Sequence, residues 1–332
     1  MLISFSFKKS SHLEGYVMKA ISFFAGVGGI DLGFEIAGIE TILANEIDSY
    51  AAETYKNNFK NKVIVDDIKN IKTNELPVFE ILLAGFPCQA FSVAGYRKGF
   101  SDDRGNLFFE IVRILVNKKP EVVFLENVKN LLGHDDGNTF KVILNSLNGL
   151  GYKIKYQVLN ACEYGNIPQN RERIYIVGFL DETKAEKFSF PNRIPLKKKL
   201  IDIIDFEKKV DEKYYYSNEN CNFFDNLKEQ ITNVNTIYQW RRVYVRENKS
   251  ELCPTLTANM GTGGHNVPLV LTKYGIRKLT PRECFKLQGF EDTFCIPSNI
   301  SNSRLYKQAG NSVVVSVVER IAKEIKKVME EY

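Results

Sequence analysis

"FFAGVGGIDLGFE", Phe23 to Glu35, is the stretch that decides the fold. An apolar run, Ala20–Phe24, leads into Gly26, Gly28 and Gly29, and an amphipathic stretch follows. Glycines between a strand and a helix allow a tight turn whose backbone N–H groups approach a ligand at the helix N-terminus. The spacing departs from the dinucleotide fingerprint G-x-G-x-x-G, because its third glycine falls on Asp31. Taken alone, the turn fits equally a β–α connection that binds nothing.

The same alternation continues outward. Short apolar runs at Thr41–Ala44, Val63–Val65, Ile81–Ala84, Glu121–Leu125, Ile154–Leu159 and Ile174–Phe179 read as strands. Between them lie helical patterns such as Leu107–Lys118, where Leu107, Ile111, Ile114 and Leu115 share a face and Pro120 stops the helix. Strand–helix alternation implies an α/β fold with a mostly parallel sheet and helices on both faces.

Near residue 181 the texture becomes polar and rich in lysine and asparagine, and from Leu279 it turns helical again. We therefore expect a ligand-binding domain of residues 18–184 and 300–332, and a smaller inserted domain with its hinge at 185–299. Residues 1–17 read as a disordered extension or as a leader preceding a start at Met18.

Composition sets the class. The chain has 332 residues, 44% hydrophobic and 26% charged, with net charge +5. Those values suit a soluble protein and permit a polyanionic partner without requiring one. Six cysteines (Cys88, Cys162, Cys221, Cys253, Cys284, Cys295) show no paired spacing, which fits a reducing, cytoplasmic setting. His12, His134 and His265 are scattered, so no metal is expected, and no apolar run is long enough to span a membrane.

Two acids strengthen the ligand reading. Glu46 ends the second strand about twenty residues past the glycines, the distance at which an acid holds ribose hydroxyls. Asp66 and Asp67 end the third strand and suit an adenine amino group. The set favours an adenosine-containing ligand, S-adenosylmethionine at least as well as NAD.

"LLAGFPCQAFSVAG", residues 82–95, then places Cys88 just past a strand end, where open α/β sheets bind ligands. A lone cysteine is more often a small core residue. Its company decides otherwise. The blocks "FFAGVGGIDLGF", "NEID", "DDI", "GFPCQAFSVAG", "ENVKN", "QNRERIYIVGF", "RKLTPRECFKLQGF" and "QAGNSVVVSVV" occur in one order across residues 19–322. Together they resemble the DNA cytosine-C5 methyltransferases, of the bacterial restriction–modification type.

That resemblance implies a Rossmann-like S-adenosylmethionine-dependent methyltransferase fold plus a target-recognition domain. It implies methyl transfer to carbon 5 of a flipped-out cytosine in duplex DNA. Cys88 is then the nucleophile. A free thiol of pKa ~8.5 is mostly protonated at neutral pH, so the site must favour the thiolate. The same correspondence makes Glu126 the partner of cytosine nitrogen 3 and the amine, puts Arg173 near oxygen 2, and places Arg171 beside it.

Cofactor contacts by resemblance are Phe24, Gly26, Gly28, Glu46, Ile47, Asp67, Ile68, Pro87, Leu107, Asn311 and Ser312. Ile47 stands where relatives carry an aromatic. Gln89 and Ser92 lie in a segment expected to close over the target, with Gln89 filling the space the base leaves. In the recognition region, "YQWRRVYVREN" mixes aromatic residues with Arg241 and Arg242, and "TLTANMGTGGHN" offers Thr255, Leu256 and Gly263.

The expected partners are double-stranded DNA and a restriction endonuclease acting on the same site, with the chain acting as a monomer. Rival readings are a tRNA cytosine methyltransferase, a catalytically inactive DNA-binding homologue and a Rossmann oxidoreductase. The tRNA enzymes carry Cys-Phe-Thr, whereas this chain has Cys284-Phe285-Lys286 inside another block.

Overall fold

A computed structural model describes residues 17–87, 107–262 and 266–331. Its centre is a seven-stranded sheet of order β3-β2-β1-β4-β5-β8-β6. The strands are β1 (Lys19–Phe23), β2 (Glu40–Glu46), β3 (Lys62–Val65), β4 (Ile81–Ala84), β5 (Val122–Val128), β6 (Lys153–Asn160) and β8 (Glu172–Phe179). Outside this sheet, the short β7 (Gln169–Asn170) pairs in parallel with β11 (Cys253–Pro254). The pairs from β3 to β5 are parallel, and β8 runs antiparallel to both β5 and β6.

The chain winds outward from β1 to β3 and then crosses back to β4. This reversal opens a crevice at the carboxyl ends of β1 and β4, the place where open α/β sheets take ligands.

Period-two burial explains the layers. On β4, Ile81 and Leu83 face one apolar cluster while Leu82 and Ala84 face another. The first cluster is covered by the helices Gly29–Ile36 and Val315–Glu331, the second by Leu107–Lys118 and Asn138–Gly149. The last helix buries Val318, Ile321, Ala322, Ile325 and Val328 as one stripe. It crosses Gly29–Ile36 at Gly33, where a Cβ would lie 2.7 Å from Val318 Cγ1 and 2.9 Å from the Glu319 nitrogen. No larger residue fits that crossing.

Most strand ends shift by one to three residues from the sequence expectation, and two of the shifts bear on the site. The first strand stops at Phe23, because Phe24 takes φ +55°, outside any strand. The fifth strand continues past Leu125 to Val128, because β8 pairs with it as far as Val128 opposite Arg173.

A second, antiparallel sheet has the order β10-β9-β12-β13, from β9 (Tyr238–Trp240), β10 (Val245–Glu247), β12 (Leu269–Thr272) and β13 (Gly275–Lys278). Its small core stacks Phe223 on Trp240, centroids 4.5 Å apart and rings nearly parallel. Arg277 on β13 is fully buried and grips Glu283 of the helix Pro281–Lys286 through two bonds of 2.8 and 2.7 Å.

Candidate active site

A cavity of about 550 Å³ occupies the crevice between β1 and β4. Its walls bring together Phe24, Gly26, Glu46, Ile47, Asp67, Ile68, Pro87, Leu107, Asn311 and Ser312, and with them Glu126, Arg171 and Arg173. Residues nearly 290 positions apart thus share one wall. Cys88, Gln89, Ser92 and Gly263 lie outside the described residues, the first of them directly after wall residue Pro87.

The nucleoside half is organised by Glu46. Its carboxylate accepts the Gly26 N–H at 2.7 Å and the Asp48 N–H at 2.8 Å, tying the glycine turn to the turn after β2. Burial raises its pKa. Asp67 caps a short helical turn by accepting the Lys69 N–H at 3.0 Å, which aims the segment. Asn45, unremarked in the sequence, donates to the carbonyls of Ile64 and Asp66 and so fixes the β3 end. Ile47 is 64% exposed at the cavity rim.

Gly28 carries a packing constraint that the sequence did not show. It is absent from the cavity wall, and at φ +88° a Cβ on it would meet the Phe59 ring at 2.3 Å. What lies underneath the turn is enough by itself to require glycine here.

The other half of the cavity is charged. Glu126 sits opposite Tyr175 in the β5–β8 ladder, so Arg173, two residues away on the same face, is its diagonal neighbour. Arg173 Nε lies 3.2 Å from Glu126 Oε1. Burial raises the Glu126 pKa, against the opposing pull of Arg173 and Arg171. Glu172 points the other way and pairs with Lys129 at 2.9 Å. Asn127 donates to the Phe86 carbonyl at 2.8 Å and so holds the chain that leads to position 88. The sequence signal for it was its place in "ENV".

Arg171 lines the cavity, yet its terminal nitrogens are engaged elsewhere. They donate to the carbonyls of Leu256 (2.6 Å), Gly310 (3.1 Å) and Ser312 (2.5 Å). Burial and then Arg173 lower its pKa to about 9, which leaves it charged at neutral pH. Three carbonyls from two distant segments converge on this one fork, so Arg171 is a positioning group.

The last wall comes from the helix Asn302–Asn311. Lys307 pairs with Asp48 at 2.7 Å, and Gln308 donates to the Tyr50 carbonyl while accepting from Thr54, each at 2.9 Å. Neither residue was singled out from the sequence, since their partners lie some 250 positions earlier. Gly310 makes the adjoining packing possible, because a Cβ there would sit 2.2 Å from the Thr257 carbonyl carbon.

Of the residues expected to meet DNA, Arg241 and Arg242 are exposed on the turn between β9 and β10, beside Val243 (81% exposed) and Tyr244. Thr255 lines a second cavity of about 250 Å³ that shares Val128 and Arg173 with the first. Leu256 corrects the expectation. Its side chain is fully buried in the core, its N–H donates to Gln169 and its carbonyl accepts from Arg171, so it has no surface to offer.

The chain is 62% identical over 315 residues to the Type II methyltransferase M.Bsp6I of Bacillus sp. (strain RFL6), covering 94% of this chain and all of that one. It is 39% identical to the Type II methyltransferase M.HhaI of Haemophilus parahaemolyticus, with 96% of each covered. Among solved structures, a Spodoptera frugiperda DNMT2 mutant superposes with a TM-score of 0.71 at 20% identity, over 93% of this chain and 99% of that one, and shares the fold. A family model described as C-5 cytosine-specific DNA methylase matches residues 18–327. With the glycine turn, the strand-end acids and the Glu126–Arg173 pair around one cavity, the chain belongs to the C-5 cytosine-specific DNA methylase family.

Proposed function

We propose that this enzyme methylates carbon 5 of one cytosine within a specific duplex DNA sequence, using S-adenosylmethionine. It protects host DNA in a restriction–modification system whose endonuclease cuts the same site. It works in the cytoplasm as a monomer, with residues 18–184 and 300–332 carrying the chemistry and 185–299 reading the DNA.

The carrying observation is that the Glu126–Arg173 pair and the Glu46–Gly26 contact line one cavity. Its volume of about 550 Å³ lies within the range of cofactor sites, ~300–1,000 Å³. Glu46 has lone pairs for ribose hydroxyls, Asp67 suits an amino group, and Phe24, Ile47, Ile68 and Leu107 supply apolar surface. S-adenosylmethionine held there would supply an electrophilic methyl on sulfonium, with S-adenosylhomocysteine as the product.

The residues then divide the work. The Cys88 thiolate adds to cytosine carbon 6, which pushes electron density to carbon 5. Glu126 hydrogen-bonds nitrogen 3 and the exocyclic amine as charge builds on the ring, and Arg173 offers its guanidinium to oxygen 2. After transfer, water removes the carbon 5 proton and the thiolate departs. The base reaches the cavity only when flipped from the duplex, at a cost of about a few kcal/mol. Arg241, Arg242 and Thr255 contact the DNA.

Incubation with labelled S-adenosylmethionine and either unmodified DNA or tRNA tests this reading. Label is expected in DNA only, and bisulfite sequencing of host DNA locates the word. Label in tRNA alone would overturn it. Cys88→Ser should abolish transfer.

A further inference from the structure

Asp31 is fully buried in the first turn of the helix Gly29–Ile36, yet it is not in the cavity wall. A buried carboxylate is costly unless it is paired or hydrogen-bonded. Its Oδ2 accepts the Ser22 hydroxyl of β1 at 2.9 Å, and its Oδ1 accepts the Tyr55 hydroxyl of the helix Ser49–Lys56 at 2.8 Å. Asn61 donates to the Tyr55 oxygen at 2.9 Å, which leaves the phenol proton for Asp31.

Tyr55 in turn stacks on Phe59, centroids 4.3 Å apart. The Phe59 ring fills the space where a Gly28 side chain would be, and Tyr55 lies 3.0 Å from the same point. The two rings are therefore the floor beneath the glycine turn. Above them, Glu46 joins Gly26 to Asp48, at the head of the helix that carries Tyr55. The glycine turn and that helix are thus pinned twice, by Glu46 inside the cavity and by Asp31 behind it.

We propose that Asp31 is a positioning residue for the cofactor: by holding Tyr55 and its stacked ring under the glycine turn, it sets the spacing between Gly26 and the Ile47–Ala51 wall. The proposal rests on reading the cavity as the S-adenosylmethionine site. Desolvation raises the Asp31 pKa to about 6, opposed by the Tyr55 and Ser22 hydroxyls, so the carboxylate is charged at neutral pH. Glu35, one turn along and facing Asp31, is itself raised to about 7, by burial first and by Asp31 second.

The test is calorimetric titration of the full chain with S-adenosylhomocysteine, at pH 7.5 and well below each variant's unfolding temperature. Asp31→Asn and Tyr55→Phe should each weaken binding about tenfold, and the double variant no more than the weaker single, because both break one network. Tyr55→Phe keeps the stack on Phe59 and carries the test if Asp31→Asn fails to fold. Turnover at saturating cofactor should stay near wild type, so the loss falls on KM. Wild-type affinity in both single variants, with only their melting temperatures lowered, would make Asp31 merely structural and overturn the proposal alone. Failure of the wild type to bind would overturn this proposal and the cofactor reading together.

Discussion

Among the described residues, two arginine–carboxylate pairs sit largely out of solvent, and they differ in how many of their hydrogen bonds are taken. In the first, Arg277 meets Glu283 with both terminal nitrogens, and Glu283 also accepts the Thr280 N–H at 2.7 Å and its hydroxyl at 3.0 Å. Arg277 adds the carbonyls of Lys278 and Asp205. The pair closes on itself and locks the second sheet to the helix that follows. In the second, Arg173 reaches Glu126 through one nitrogen at 3.2 Å, and no described residue donates to Glu126 Oε2. That pair lines a cavity and keeps capacity for a third party. Only the Arg277 Nε lacks a partner in the structural pair, whereas the open carboxylate oxygen of the other suits the role proposed for Glu126.

The contrast can be broken from either side. Glu126→Gln should lower methyl transfer by a factor on the order of 10³ while leaving the melting temperature almost unchanged, in a labelled-methyl assay beside a thermal melt. A large loss of stability instead would make Glu126 structural too. Arg277→Ala should do the opposite. Leaving Glu283 buried and unpaired should cost about 3 kcal/mol or more in denaturant unfolding, with activity per folded molecule largely kept.

Between these extremes lies Asp31, whose pKa is raised by burial to about 6. A raised carboxyl binds its proton more tightly in the folded state, so its effect on stability is lost with rising pH, not with falling pH. Stability should decline by about 2–3 kcal/mol from pH 4 to pH 6 through this group and stay level above. The difference between wild type and Asp31→Asn, measured by urea unfolding across that range, isolates it. A flat difference contradicts the assignment. The smallest effect belongs to Arg171→Lys. A lysine keeps the charge but loses the fork that gathers three carbonyls, so stability and cofactor affinity should each fall by about 1–2 kcal/mol.

What the sequence made legible follows the same line. Runs of apolar residues gave the strands and the parallel sheet, because period-two burial is written locally. The ends of β1, β2 and β4 gave Gly26, Glu46 and Pro87, because a turn must follow each strand. Roles set by distant partners were hidden. Gly28 looked like a ligand glycine, and the constraint Phe59 places on it from below was invisible. Leu256 looked like a surface reader, while Gln169 and Arg171 hold its backbone inside. Asp31 entered only as the residue that breaks a glycine pattern, although its partners at positions 22 and 55 give it the most buried carboxylate at the turn. In each case the deciding neighbour comes from another element, and spacing along the chain carries no trace of it.

The claim beneath this account is that the wall residues serve a thiolate at position 88 that bonds transiently to the pyrimidine. DNA carrying 5-fluorocytosine at the modified position, supplied with S-adenosylmethionine, tests it directly, since fluorine cannot leave as a proton does. The account predicts a stable protein–DNA adduct whose peptide map ends at Cys88. Normal methylation of ordinary DNA with no such adduct would contradict it.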